Sequence, residues 1–500
     1  MMKTMLRRGA GLLMPVSSLP SPYGIGTFGR AAYEFVDILK RARQQYWQVL
    51  PLGPTSYGDS PYQSFSAFAG NPYFIDLDTL KEEGLLTQEE INACHWSNQD
   101  DQVLYDAIFY YRFPLLRKAF ERSRCSEDRD FLKFCQDEKN WLEDYSLYMA
   151  CKYHFENQEW QAWEDDIKFR KPEAVKRYAE ELARDIEYWK YLQYKFFEQW
   201  NKLKEYAHEQ GISIIGDIPI YVALDSADVW THPELFQLDQ ETLEPLKVAG
   251  VPPDAFSDDG QLWGNPLYNW DAIEKQDFAW WKDRMKSSAR LYDVVRIDHF
   301  IGVVEYYAIP GGAKDGKTGE WLKGPGRKLT DAIDSVIGDT KIIAEDLGVF
   351  NPDVKKLLEE TGYPGMKILE FAFSGDRKNE HLPYNYSPNS VVYGGTHDNE
   401  TLVGYFNESK REWWELQYIV DYMGVQHKEE LVDRALFTAY ASVASVVLFQ
   451  VQDVLKFGNW ARMNTPGTVG NNWKWRMRPG QLGDSQIGHL SWLVDTFGRF

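Results

Sequence analysis

Three short apolar runs in this chain each deliver a carboxylate at the C-terminal end, and that repetition constrains the fold more than any other feature. They are Leu291-Tyr-Asp-Val-Val-Arg-Ile-Asp-His-Phe-Ile-Gly302 with Asp298, Lys341-Ile-Ile-Ala-Glu-Asp-Leu-Gly348 with Glu345, and Val391-Val-Tyr-Gly-Gly-Thr-His-Asp-Asn399 with Asp398. In the first, Arg296 and Asp298 interrupt Val294, Val295 and Ile297 at alternate positions, so both charged side chains leave an extended strand on one face. Charge on so apolar a strand is costly unless it is paired and hydrogen-bonded. One such strand is compatible with a structural ion pair. Recurrence on three strands points instead to acids that converge over one end of a parallel (β/α)8 barrel, where the C-terminal strand ends and their loops build the site.

Read in order, the chain supplies eight strands for such a barrel. They fall at Ala10–Val16, Tyr46–Pro51, Ile212–Pro219 (which brings a further acid, Asp217), the Asp298 run, the run ending at Glu345, Met366–Phe371, Val391–Gly395 and Ser445–Gln450. Helix-like runs separate most of them, the alternation expected of an α/β barrel. From about Leu77 to Gln210 the rhythm breaks into helical spacing over Phe109–Phe120, Asp137–His154 and Pro172–His208, the last ended by Gly211. The reading is one barrel over 1–500, with a mainly helical insertion at 77–210 between strands two and three. A further insertion at 221–292 separates strands three and four, and no separate C-terminal β-domain follows strand eight. Two long loops are rich in Gly, Pro and aromatics: Gly53–Asn71, with Tyr57, Ser60, Tyr62, Phe65 and Phe68, and Val248–Trp270, with Asp254, Phe256 and Trp263. Loops of that length in a compact domain are usually functional, and these are expected to lean over a groove.

Composition narrows the partner. With 75 acids against 55 bases among 500 residues, the net charge is −20, which disfavours nucleic acid and anionic membranes, since both need a basic footprint. A neutral ligand fits better. Aromatics make up 15 % of the chain, including 19 Trp; most belong in the core, but flat rings also hold the C–H faces of sugars. Cys94, Cys125, Cys135 and Cys151 lack metal or disulfide spacing. No apolar stretch approaches a membrane span, and the N-terminal Met1–Pro20 lacks a clean signal-peptide pattern, so the expected compartment is the cytoplasm.

Two acids on neighbouring strands suit retaining glycosyl transfer, which needs a carboxylate nucleophile and a carboxylic acid about 5–5.5 Å apart around an oxocarbenium-like transition state. Asp298 and Glu345 fit those roles. The nearby like charge raises the proton affinity of one of them, and Arg296 is placed to keep the nucleophile ionised. Asp398 is a candidate to bind ring hydroxyls, and His299 and His397, beside two of the acids, are candidates for the same task.

The ordered set Gly216-Asp-Ile-Pro-Ile-Tyr-Val-Ala223, Val295-Arg-Ile-Asp-His-Phe300, Ile343-Ala-Glu-Asp-Leu-Gly348 and Gly395-Thr-His-Asp-Asn399 resembles the motifs of the α-amylase clan. Together with Ser56-Tyr-Gly-Asp-Ser-Pro-Tyr-Gln-Ser-Phe-Ser-Ala-Phe-Ala-Gly-Asn-Pro72 and Ala249-Gly-Val-Pro-Pro-Asp-Ala-Phe-Ser257 it resembles the amylomaltases, bacterial 4-α-glucanotransferases, from about Gly9 to the C-terminus. The resemblance implies Asp298 as nucleophile, Glu345 as general acid/base and Asp398 as transition-state stabiliser. It implies a donor subsite lined by Asp217, Arg296, His299 and His397, with Ser60, Tyr62, Asp254, Trp263 and Asn464 around the bound chain. It further implies α-1,4-glucans and maltooligosaccharides as substrates, glucose as an acceptor, and neither cofactor nor metal. Two other readings share these residues: an α-1,4-glucan hydrolase, which differs only in using water as acceptor, and a catalytically silent glucan-binding barrel, against which a matched acid and nucleophile speak.

Overall fold

A computed structural model of the protein describes residues 6–56, 58–97, 99–253, 257–348 and 351–500. In chain order its strands are β1 (Gly9–Leu13), β2 (Tyr46–Gln48), β3 (Ser213–Pro219), β4 (Lys247–Val251), β5 (Gln261–Pro266), β6 (Val294–Asp298), β7 (Glu305–Pro310), β8 (Glu320–Lys323), β9 (Lys341–Ala344), β10 (Gly365–Ile368), β11 (Ser390–Tyr393) and β12 (Val446–Gln450). Eight of them close a parallel barrel in the order β1-β12-β11-β10-β9-β6-β3-β2. All eight strands expected from the sequence take part.

The alternation of side chains along each strand decides what the barrel encloses. Tyr46, Ile215, Val294, Ile343, Met366, Ile368, Val391, Tyr393, Val446 and Leu448 form one buried cluster inside it. The residues between them, such as Ile214, Val295, Ile342, Val392 and Val447, belong to the larger core shared with the surrounding helices. Arg296 and Asp298 keep the parity of Val294 on β6, and Asp217 that of Ile215 on β3. In register, Asp217 pairs with Arg296, and Ile297 with Ala344. The inward row therefore begins apolar at the bottom and ends charged at the top. Outside the row, Gly216 is needed for close approach, because a Cβ there would meet the Tyr292 ring at 2.1 Å.

Several strands are shorter than the sequence reading. The first stops at Leu13, and Val16–Ser18 is a 3-10 turn; the sixth stops at Ile368, and Leu369–Phe371 is another. Strand β11 stops at Tyr393, so Asp398 comes from the loop beyond the strand and not from its end. Glu345 is the first residue past β9.

Between β2 and β3 the chain is helical, with its longest elements at Tyr105–Ser123, Lys139–His154 and Ala183–Glu209. The single helix expected over Pro172–His208 is two, Pro172–Glu181 and Ala183–Glu209, interrupted at Leu182. Much of the aromatic surplus is spent here: Trp160, Trp189 and Trp200 are fully buried. The stretch read as a loop after Val248 is in part sheet. Strands β5-β4-β7-β8 form an antiparallel sheet that flanks β6 on both sides in sequence. Among the described residues no helix is long and apolar enough to cross a membrane.

Candidate active site

Arg296, almost wholly buried, organises the top of the barrel. Its Nη1 donates to both carboxylate oxygens of Asp217 at 2.8 and 2.7 Å, lies 3.0 Å from Asp298 Oδ1, and its Nε faces the Met366 sulfur at 3.3 Å. Burial opposes its charge, yet the carboxylates of Asp217 and Asp298 hold the guanidinium well above its ordinary pKa. Burial pushes Asp217 up against the pull of Arg296. A buried pair of this kind is strongly directional because it would be costly to leave either partner alone. Asp298 is partly exposed and so can meet a ligand from above.

Glu345 is held differently. Its Oε2 accepts from the His299 N–H at 2.6 Å and its Oε1 from the Leu347 N–H at 2.8 Å. His299 takes a left-handed conformation (φ 52°), uncommon outside glycine, as the chain leaves β6 and turns toward Glu345. Burial first, and then the charge of Asp298, push the Glu345 carboxyl up to about 8, although Arg296 and the two backbone donors pull the other way. At the C-terminal ends of adjacent strands, one carboxyl is thus kept protonated near neutrality while the other is tied to a guanidinium. That is the division of labour that acid and nucleophile require.

Asp398 is held between the loops that follow β11 and β12. Asn464 Nδ2 donates to its Oδ1 at 2.6 Å and His397 Nε2 lies 3.4 Å from the same oxygen. Burial raises its pKa, but His397 and Asn464 outweigh that and bring it down to about 2. Tyr62 stacks on His397 with ring centroids 4.7 Å apart, donates its hydroxyl to Asp217 at 2.9 Å and faces His397 Nδ1 at 3.2 Å. Tyr62 has one proton. Once it is spent on Asp217, the phenol oxygen can only accept from Nδ1–H, which leaves Nε2 facing Asp398 Oδ1 at 3.4 Å. Burial opposes a charge on His397, but Asp398 raises its pKa overall. His299 goes the other way, lowered to about 4 by burial and therefore neutral, with Trp263 edge-on to it at 4.8 Å.

Asp217, Arg296, Asp298, Asp398, His397, Tyr62 and Asn464 are thus linked through a connected set of contacts, and Glu345 joins them through the His299 N–H, with Trp263 on that flank. Ser60 stands one step back: its Oγ accepts from the Tyr62 N–H at 3.3 Å and shapes the turn that presents the ring. Asp254, Phe256 and Tyr57 lie outside the described residues. Two other loop aromatics turn away from the acids, Phe68 onto Trp141 and Trp280 and Phe65 toward Tyr148 and Lys152. Several neighbours went unmarked in the sequence. Trp473 tilts against both Tyr62 and His397 at 5.8 Å, Arg462 donates to the Asp398 carbonyl at 2.6 Å, and Gln63 on the first loop exchanges amide hydrogen bonds with Asn265 on β5 at 3.0 and 3.4 Å. The polar and aromatic mixture of Arg462–Trp475 was the available signal for the first two.

Comparison with known proteins accords with this geometry. A relative from Clostridium butyricum named 4-alpha-glucanotransferase is 50 % identical over 486 residues, covering 97 % of this chain and all of its own. One of the same name from Streptococcus pneumoniae is 47 % identical, covering 96 % of this chain and 95 % of its own. The solved structure of an amylomaltase from Streptococcus agalactiae in complex with acarbose is 43 % identical, covers 99 % of this chain and 100 % of its own, and superimposes with a TM-score of 0.95. The glycoside hydrolase family 77 model, described as 4-alpha-glucanotransferase, matches residues 14–482, and the chain belongs to that family.

Proposed function

We propose that the protein is a retaining 4-α-glucanotransferase, which moves a segment of an α-1,4-glucan to the 4-hydroxyl of another glucan or of glucose. The observation that carries this reading is the pair of unlike carboxyls at the ends of adjacent strands, Asp298 tied to Arg296 and Glu345 pushed up to about 8. Asp298 attacks the anomeric carbon while Glu345 gives its proton to the departing O4, so the glycosidic bond breaks as the enzyme–glycosyl bond forms. The acceptor's 4-hydroxyl then attacks that carbon, Glu345 takes its proton back, and Asp298 leaves with the α-linkage restored. Asp398, with His397 and Asn464 keeping it ionised, holds ring hydroxyls as the sugar flattens. Asp217, Arg296, His299, Tyr62 and Ser60 line or support the donor side, and Trp263 contacts the chain beyond it.

This reading takes the segments 77–210 and 221–292 as insertions in one barrel over 1–500, and places the protein in the cytoplasm, where its four unpaired cysteines would be stable. Incubation with maltotriose, with products resolved by chain length, tests the reaction. A transferase yields glucose together with maltopentaose and longer chains. Glucose and maltose alone would assign the protein to hydrolysis, and no turnover would leave only binding.

A further inference from the structure

The loop after β12 carries Asn464, and the loop after β11 carries Asp398; what fixes one against the other is a single guanidinium. Arg462 Nη2 donates to the Asp398 carbonyl at 2.6 Å, and its Nε donates to the Asn464 carbonyl at 2.7 Å. The third side of the triangle is the contact that bears on chemistry, Asn464 Nδ2 to Asp398 Oδ1 at 2.6 Å. Arg462 thus spends these donors on the two backbones whose side chains meet at that oxygen. It is itself well seated, between the buried Ala461 and Met463, with the Ala461 carbonyl accepting from Gln452 at 3.2 Å and the Met463 carbonyl from the Trp473 N–H at 2.7 Å. Asn464 is the first residue beyond this anchorage. The segment after it, 465–471, is exposed.

We propose that Arg462 is a positioning residue for the Asp398–Asn464 pair: it makes the pair's geometry a property of the barrel and not of two flexible loops. The proposal rests on the reading of Asp398 as the transition-state stabiliser. A plain structural staple is the competing account, and the surrounding contacts separate the two. The loops are held together elsewhere, by Asn459 Nδ2 to Glu400 Oε1 at 2.7 Å, by the Thr401 N–H to Asn459 Oδ1 at 3.3 Å, and by the Leu402 N–H to Asp453 Oδ1 at 2.7 Å. Loss of Arg462 therefore leaves both loops attached and frees only the pair beyond it. The planar fork is what serves two carbonyls at once; a lysine ammonium is a compact point charge without that geometry.

The test compares R462A, R462K, N464A, D398N and the double variant R462A/N464A, measuring kcat on maltotriose beside thermal unfolding. Misplacement on the scale of an ångström can cost about 10²-fold in rate, and R462A is expected to lose roughly that much while melting close to wild type. R462K should recover part of the loss. Because Arg462 and Asn464 hold the same Asp398 carboxylate as one unit, R462A/N464A should be no slower than the slower single variant by more than about 3-fold, whereas independent residues would multiply their effects. Should R462A not fold, R462K carries the test, with an expected loss of at least about 5-fold in a folded protein, on the same misplacement argument. A folded R462A or R462K with near wild-type kcat, beside an inactive D398N, overturns the positioning role alone, and so do multiplying losses in the double variant. An active D398N instead overturns the reading of Asp398 on which the role depends.

Discussion

At the scale of single residues, the site treats its two carboxyls differently, tying Asp298 to Arg296 and burying Glu345, and the burial has a consequence for stability. Glu345 is pushed from an ordinary 4.5 to about 8 in the folded protein. A group whose pKa rises on folding contributes stability that is complete below the unfolded value and is lost as pH climbs through the folded value. The window here is about pH 4.5 to 8, and the loss is on the order of a few kcal/mol at 1.36 kcal/mol per unit. Glu345→Gln removes the charge but turns an amide NH2 toward one of the two backbone N–H groups that the carboxyl accepts from, a cost present at every pH; its stability relative to wild type is therefore expected to improve by a few kcal/mol between pH 4 and pH 8, at about 1.36 kcal/mol per unit. Denaturant unfolding at the two values checks it, and an equal effect at both would count against the raised pKa. The same protonation sets the activity: kcat/KM should fall as pH rises through about 8. Asp298→Asn, by contrast, should lose on the order of 10⁴-fold or more in kcat, by analogy with other covalent nucleophiles, while maltooligosaccharide binding persists. Retention of a tenth of the activity would remove Asp298 from the nucleophile role.

At the scale of elements, the expected strands and the observed ones show which signals were legible. The barrel was legible because each of its strands is a local apolar run ending at turn residues, and Arg296 and Asp298 could be put on one face by parity alone. The sheet β5-β4-β7-β8 was not, because β4 finds its partner β7 across the intervening β6, and the outermost strand Glu320–Lys323 is mostly exposed and shows no apolar periodicity. The same non-locality hid Arg462, Trp473 and the Gln63–Asn265 pair, whose roles exist only once distant loops meet. The placement of Trp263 on β5, edge-on to His299, bears on acceptor choice. Water and a sugar hydroxyl compete for one glycosyl-enzyme, so loss of a ring contact worth ~1 kcal/mol shifts the product ratio about fivefold toward hydrolysis, given tenfold per 1.36 kcal/mol. Trp263→Ala should raise the hydrolysed fraction from maltotetraose by that amount, with total turnover falling less; an unchanged ratio would make Trp263 a wall residue only.

At the scale of the whole molecule, closure of the barrel is what makes a site at all. Tyr62 and His397 touch although 335 positions separate them, and Arg296 bonds Asp217 across 79. The inward row is apolar below and charged above, so the same strands that supply the core present the acids at one rim, where a neutral glucan meets a chain of net charge −20 without electrostatic penalty. In the proposed reaction Asp298 forms a covalent bond to the sugar while Glu345 handles the proton. The most direct measurement uses Glu345→Gln with an α-maltosyl fluoride donor, whose leaving group needs no proton, followed by mass spectrometry of the intact protein and of its peptides. One maltosyl unit is expected to accumulate on the protein, on a peptide containing Asp298, since deglycosylation lacks its base. An adduct on any other residue, or rapid consumption of the fluoride with no adduct at all, would contradict it.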